Sequence, residues 1–337
     1  MNRSFSLRFL AGALLCLLLV TPAAAQDAEE SSAPPIPVIY DTDIGGDIDD
    51  VWALSFLVHS PELELKLVTI NKGGVRRKAQ IAAKLLTAMG RDDVPIAIGR
   101  SDQRSTPRYY DWARDFELSD YDGPVHDGAV TEMIEEIEAD DAGRLQILAV
   151  GSMLNVAGLL ERRPELAGRV RLTAMSGSVY GGYGGSDEPD AEANVVVAPE
   201  AARRAYAADW KRFTIAPLDV TGGLHLAGAR YRRIYDSDAP TPRAIVAAYN
   251  VFEPNADWTD VDVTQRSSTL HDAVAVYLAF SEEYLALETL HLRITEDGYT
   301  RVDSEDGPPV EVALEWTNEE AFKDLLVERL TSPLPSR

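Results

Sequence analysis

The chain has 337 residues, a formal charge of −23 and a single cysteine, Cys16. So acidic a protein repels nucleic-acid backbones, and no basic run offsets that charge, so nucleic acid is excluded as a partner while phosphate-free nucleosides are not. Its length would allow two domains, but no Pro/Ser/Gly-rich linker divides it and no internal repeat is visible, so one domain is expected.

The first twenty-five residues read as a signal peptide. Arg3 and Arg8 supply a basic start, Phe9 to Val20 an apolar stretch too short to span a bilayer comfortably, and Ala23-Ala24-Ala25 a small-residue cleavage site. Leu15, before Cys16, is too large for a lipoprotein cleavage site. Cleavage would leave 312 residues with two arginines fewer, a charge of −25, no cysteine and no membrane anchor. A periplasmic or secreted protein is expected, without disulfides, thiolate metal sites or a cysteine nucleophile. A flexible polar tail is expected over 26–36 and the folded domain over 37–331.

Val38, Ile39 and Tyr40 have the composition of a buried strand, which ends in five acids within ten residues: Asp41, Asp43, Asp47, Asp49 and Asp50. Apolar residues then recur at helical spacing from Val51 to His59, so the acids lie on a strand-to-helix turn, with Gly45 and Gly46 supplying conformations that other residues avoid. Asp49 is placed to cap the helix. The remaining acids repel one another, and an all-oxygen set held ionised suits a hard cation such as Ca²⁺ or Mg²⁺. Asp41, Asp43 and Gly46 match the first, third and sixth positions of an EF-hand loop, but Trp52 stands at the twelfth, where that loop needs a glutamate. Trp52 is expected in the core.

Further along, strands are expected at Leu65–Ile70, Pro95–Ile98, Leu145–Val150, Arg171–Met175 and Phe213–Val220, and a β segment around Val310–Leu314. Helices are expected at Ala79–Met89, Thr131–Glu138, after Asn155, and at Pro199–Ala208, Arg243–Asn250, Leu270–Phe280 and Glu319–Leu330. This alternation predicts an α/β fold with an open, mostly parallel sheet flanked by helices. The stretch from Ser101 to Gly128, polar and aromatic-rich, reads as a lid or wall of an active site. Tyr110, Tyr180, Tyr183 and Trp258 lie in expected loops, where an aromatic ring could stack on a base, although most such rings pack elsewhere. His271 fits either a helix start or a substrate-facing role, whereas His59, His126, His225 and His291 lack such a neighbourhood, except that His126 lies in the possible lid.

Several segments together carry a family resemblance. They are the D-T-D-x-G turn, G-S-M-L-N at Gly151 to Asn155, M-S-G at Met175 to Gly177 and A-E-A-N at Ala191 to Asn194. P-E-A-A at Pro199 to Ala202, P-L-D-V-T at Pro217 to Thr221 and L-H-D-A-V-A at Leu270 to Ala275 follow in the same order. Over about Pro37 to Leu330 the chain resembles the nucleoside hydrolases, the inosine-uridine preferring N-ribohydrolases. The resemblance implies cleavage of the N-glycosidic bond of ribonucleosides to free base and ribose by a Ca²⁺-activated water. It also implies Asp43, Asp50 and Asp272 as carboxylate ligands of Ca²⁺, the carbonyl of Leu154 as another, and Asp43 as the base acting on the water. Asp49, Glu192 and Asn194 would contact the sugar, and His271 would protonate the departing base.

The sequence departs from that pattern in three places. Two extra residues put Asp47-Ile48 ahead of Asp49-Asp50, so either Asp47 or Asp49 takes the sugar. The substrate-binding asparagine expected after the second strand is assigned to Asn71, although it lies a few residues early and Gly73 and Gly74 are closer to that place. A ribose-binding asparagine upstream of Glu192 is replaced by Ser186 or a gap. A Ca²⁺-dependent nucleoside- or sugar-binding protein of the same fold, without turnover, is therefore carried as the alternative. A phosphotransferase of the haloacid dehalogenase type also begins D-x-D, but Gly45 stands where it needs Thr or Val. Base preference, physiological substrate and any homo-oligomer are left open.

Overall fold

The computed structural model describes residue 1 and residues 33–99, 105–259, 261–303 and 307–335. Residues 35–337 form one compact unit, and the expected signal peptide and most of the tail lie outside the described residues. Ten strands are described: β1 (Ile36–Thr42), β2 (Leu63–Ile70), β3 (Ile96–Ile98), β4 (Val125–Asp127), β5 (Gln146–Ala149), β6 (Arg171–Met175), β7 (Arg212–Ala216), β8 (Leu285–Ile294), β9 (Thr300–Val302) and β10 (Pro309–Trp316). They form one sheet in the order β4-β3-β2-β1-β5-β6-β7-β10-β8-β9. The pairings from β4 through β10 are parallel, and β8 and β9 add antiparallel strands at one edge.

Successive residues of a strand face opposite sides of its sheet, and here both sides are covered. Val38 and Tyr40 enter the core that holds the helix Asp49–Val58 and the helix His271–Leu278, whereas Ile39 enters the core beneath the helices Ala129–Ala139 and Leu154–Arg162. That two-sided burial is why β1 reads as an unbroken apolar run. Trp52 is fully buried, as expected, and stacks on Tyr231 with ring centroids 6.5 Å apart.

The chain leaves β1 toward β2, β3 and β4 on one side and later returns through β5 to β6 and β7 on the other. The order therefore reverses between β1 and β5, and open α/β sheets bind ligands in the crevice at the carboxyl ends of such a pair. Asp43 follows β1 there, and Gly151 follows β5. A Cβ on Gly151 would lie 2.8 Å from the Asp43 backbone nitrogen, so only glycine allows the two turns to pack this closely.

Several boundaries differ from expectation. β1 starts at Ile36, inside the expected tail, because the Ile36 N–H donates to the Glu62 carbonyl at 2.8 Å. The strand expected over Phe213–Val220 ends at Ala216. Pro217 cannot donate to a strand ladder, and it instead caps the short helix Leu218–Thr221. Asp49 does not cap its own helix: Ile48 holds that position and Asp49 is the first helical residue. β4, β8, β9 and the helix Gly228–Tyr235 were not anticipated.

Candidate active site

The crevice holds a cleft of about 700 Å³, within the range of small-molecule sites, which is roughly 300–1,000 Å³. Six acids line it: Asp43, Asp47, Asp49, Asp50, Glu192 and Asp272. Asn194, His271, Lys72, Lys78, Tyr183, Trp258 and the segment Ser105–Arg108 join them. The expected wall between Ser101 and Gly128 thus contributes its Ser105–Arg108 part, while 100–104 lie outside the described residues.

Asp49, Asp50 and Asp272 can bring one oxygen each to within 4.8 Å of one another, and all three are buried. Asp49 and Asp50 open one helix and Asp272 belongs to the first turn of another, so the two helix N-termini converge on this point. The Asp49 carboxylate accepts the backbone N–H of Asp272, tying those helices together. Burial first, and then repulsion among the acids, pushes Asp49 and Asp272 well above the carboxylate range. Burial and Asp43 do the same to Asp50. Three buried carboxylates that resist ionisation together form a donor set that a hard divalent cation would neutralise.

Asp43 is differently placed. Its Oδ2 lies 2.9 Å from Lys72 Nζ and 3.8 Å from Lys78 Nζ, and Lys78 also donates to the Asp43 carbonyl. Burial works against its charge, but the two lysines outweigh burial and hold its carboxyl below the usual range. The resemblance placed Asp43 with Asp50 and Asp272. The structure keeps it beside them but gives it cationic partners, and Asp49 completes the triple. Leu154 opens its helix just past the β5 turn with an exposed side chain and is not part of the cleft lining.

Glu192 caps the helix Ala193–Val197, accepting the N–H groups of Asn194 at 2.7 Å, Val195 at 3.3 Å and Gly177 at 3.1 Å. Burial pushes its carboxyl up to about 7 against those bonds. The Asn194 amide donates to the carbonyls of Val150 at 3.0 Å and Met175 at 3.4 Å, which leaves its Oδ1 to accept from a ligand. His271 sits with Nδ1 3.2 Å from Thr221 Oγ1 and its ring edge-on to Tyr183, and burial lowers its imidazole to about 4.

Asn71 does not line the cleft. Its amide donates to Asp41 Oδ2 at 3.1 Å and its Oδ1 accepts from Ser152 at 3.0 Å. Asp41 also accepts from Thr69 at 2.6 Å and Asn155 at 2.8 Å, so it joins β1, β2 and the β5 turn beneath the site. Burial, opposed by those bonds, carries it to about 7. Asp47 and Asp49 both reach the cleft, which keeps both in contention for the sugar.

Of the aromatic candidates, Tyr183 and Trp258 line the cleft while Tyr110 and Tyr180 do not. Arg108 lies over the Trp258 ring, 4.0 Å from its centroid. Sequence reasoning missed Lys72, Lys78 and Arg108, and it counted Asp41 among the acids of the site, whereas Asp41 lies beneath the cleft as part of its floor. Asp219 was quoted only within a motif. Its carboxylate accepts the backbone N–H groups of Val179 at 2.9 Å, Tyr180 at 2.8 Å and Gly181 at 3.1 Å and so holds the loop that carries Tyr183. Asp219→Ala is expected to raise KM for a ligand packed on Tyr183 several-fold with a smaller change in kcat, as steady-state kinetics would show.

A switch-point crevice lined by clustered carboxylates, a carboxamide and an imidazole is suited to holding a small hydroxyl-rich molecule. The inosine-uridine preferring nucleoside hydrolase family matches residues 38–324, and the chain belongs to that family. Among its relatives are the pyrimidine-specific ribonucleoside hydrolases RihA of Klebsiella pneumoniae and Photobacterium profundum. Each is 26% identical over 88% of this chain, covering 98% and 99% of the respective relative. Among solved structures, the plant nucleoside hydrolase PpNRh1 aligns with a TM-score of 0.75 and 26% identity, over 89% of this chain and 100% of its own. The purine-preferring ribonucleoside hydrolase from Gardnerella vaginalis shares the fold, with a TM-score of 0.73 at 20% identity over 88% of this chain and 98% of its own.

Proposed function

We propose that this chain hydrolyses the N-glycosidic bond of ribonucleosides, releasing free base and ribose, with Ca²⁺ as its cofactor. The observation that carries this reading is the buried triple of Asp49, Asp50 and Asp272 beside a lysine-paired Asp43, all facing one cleft. Bound there, Ca²⁺ would be held by Asp43, Asp50, Asp272 and the Leu154 carbonyl, with Asp49 beside them, and would supply a positive centre that orients the sugar diol and the attacking water.

The rest of the chemistry falls to the chain's own residues. Asp43, kept ionised by Lys72 and Lys78, is the base that takes the proton of the attacking water. Glu192 and Asn194 Oδ1, with Asp47 or Asp49, accept the ribose hydroxyls and fix the anomeric carbon beside that water. The acidic lining favours the positive charge that grows on the sugar as the C–N bond breaks. Tyr183 and Trp258 offer ring faces to the base. His271, its imidazole neutral at pH 7, donates a hydrogen bond through its one N–H to the departing base, which takes its proton from solvent.

The test is ribose release from single pure nucleosides, with and without chelator. Chelator-sensitive release supports the proposal, and saturable binding without release would replace it with the binding-protein reading. The relatives' names divide between pyrimidine and purine preference, so the panel spans both. Export to the periplasm or outside the cell is proposed from the leader, and an N-terminus at Gln26 in protein recovered from its producing cells would support it.

A further inference from the structure

The cleft suits one half of the broken bond and opposes the other. Its six carboxylates favour the positive charge that grows on the sugar, but they repel the negative charge that the base carries away. Among the described residues three cations line the same cleft: Lys72, Lys78 and Arg108. Both lysines reach Asp43, at 2.9 and 3.8 Å. Arg108 belongs instead to the wall formed by Ser105–Arg108 and makes no ion pair with any of the six carboxylates.

Local structure holds Arg108 in that place. Its backbone N–H donates to the Gly45 carbonyl at 2.9 Å, and the Gly45 N–H donates to the Tyr109 hydroxyl at 2.7 Å, so the wall is fastened to the acidic turn. A Cβ on Gly45, where φ is +100°, would lie 2.7 Å from Pro107 Cβ, so this close approach requires glycine. The guanidinium lies 4.0 Å from the centroid of the Trp258 ring, and its Nη1 donates to the Asn255 carbonyl at 3.1 Å. Trp258 in turn meets the buried Phe252 edge-on, with ring centroids 5.7 Å apart. Asp257, 3.9 Å away and with its side chain 92% exposed, is too solvated to cancel the arginine's charge. Nε and Nη2 have no hydrogen-bond partner among the described residues, so donors of a fixed, planar, charged group are left for a ligand.

We propose that Arg108 is a catalytic residue that meets the departing base and stabilises the negative charge it gains as the C–N bond breaks. The water oxygen bonds to the anomeric carbon, its proton passes to Asp43, and the electron pair of the C–N bond leaves with the base. The base then takes a proton from solvent, while Arg108 stays charged throughout. Its N–H donors suit the ring nitrogens and carbonyl oxygens over which the leaving charge spreads. His271 can donate one hydrogen bond to the same base, but a histidine carries no permanent charge at neutral pH. This inference deepens the nucleoside hydrolase reading and rests on it.

The test compares Arg108→Gln and Arg108→Lys with wild type, in saturating CaCl₂, on substrates with poor and good leaving groups. Ribose release from the wild type's best nucleoside reports the poor one. Nitrophenolate release from 4-nitrophenyl β-D-ribofuranoside reports the good one, whose anion is stable in water without help. Arg108→Gln is expected to lower kcat on the nucleoside about 10²-fold, as removal of one preorganised charge-stabilising donor does, with KM changed far less. Its loss on the nitrophenyl riboside should be roughly tenfold smaller. Arg108→Lys keeps the charge and should recover most of the nucleoside rate. An equal loss on both substrates, an unchanged nucleoside kcat, or a lysine variant as slow as the glutamine one would overturn this inference and leave the proposed function standing. A wild type that cleaves no nucleoside would overturn the proposed function, and this inference with it.

Discussion

Asp43→Asn is expected to lower kcat about 10³-fold, the middle of the range for removing a general base, while Ca²⁺ still binds within about tenfold of wild type. Asparagine keeps an oxygen for Lys72 and Lys78 to approach, so neither ammonium is left facing only carbon. What it lacks is the charge that takes a proton from water. Asp272→Ala should behave differently on every axis. It removes one of three oxygens that gather within 4.8 Å, so both turnover and Ca²⁺ affinity should fall by two orders of magnitude or more. Yet its melting temperature in chelator should be no lower than that of wild type, because a buried carboxylate repelled by Asp49, Asp50 and Asp43 has been deleted. Titration calorimetry, initial rates and thermal melts on the two variants check this. Near-normal turnover in either variant would count against the assignment of the site.

Chelation should also invert the usual pH profile of stability. Asp41 and Glu192 are raised to about 7 and Asp47 to about 6, mainly by burial, and Asp49, Asp50 and Asp272 are also raised well above the carboxylate range. The folded, cation-free protein therefore binds more protons than the unfolded chain, whose carboxyls titrate near 4. Stability then falls as pH rises. The loss accumulates from about pH 4 to above pH 7, so melting in chelator should occur several degrees higher at pH 5.5 than at pH 8. Saturating Ca²⁺ supplies the positive charge that the protons supplied and should flatten the slope. At a concentration about 100 times Kd it contributes roughly 2.7 kcal/mol, or about 5 °C for a chain of this size. A cation-free melting temperature that rises steadily from pH 5.5 to pH 8 would contradict the repulsion on which the cation site is argued.

The acidic turn was legible in the sequence because it depends on local chemistry. An apolar run, two glycines and a helical repeat must place five acids at the end of a strand whatever the rest of the chain does. Glu192, Asn194, His271 and Asp272 were legible only through the order and spacing of motifs, since nothing in their own neighbourhoods says that they meet Asp43. The strand β8, next to the sheet's edge, was missed although Leu285, Leu287, Leu290 and Leu292 are spread along it. It is half exposed and antiparallel, and its pattern is weaker than that of a strand buried on both faces. Asn71 and Lys72 are adjacent at the end of β2, and only the structure separates them: the amide hydrogen-bonds Asp41 beneath the cleft, while the ammonium pairs with Asp43 inside it.

By itself the sequence determined the sheet-and-helix class, the oxygen-rich character of the site and the family, all of which follow from residue types and their spacing. The tertiary structure decided which carboxylates share a centre and which one is answered by lysine. Those outcomes depend on distances of a few ångströms between segments tens to hundreds of residues apart. Charge interactions in a buried cleft are settled at that scale, where one residue's rotation exchanges a counter-ion for a repelling neighbour.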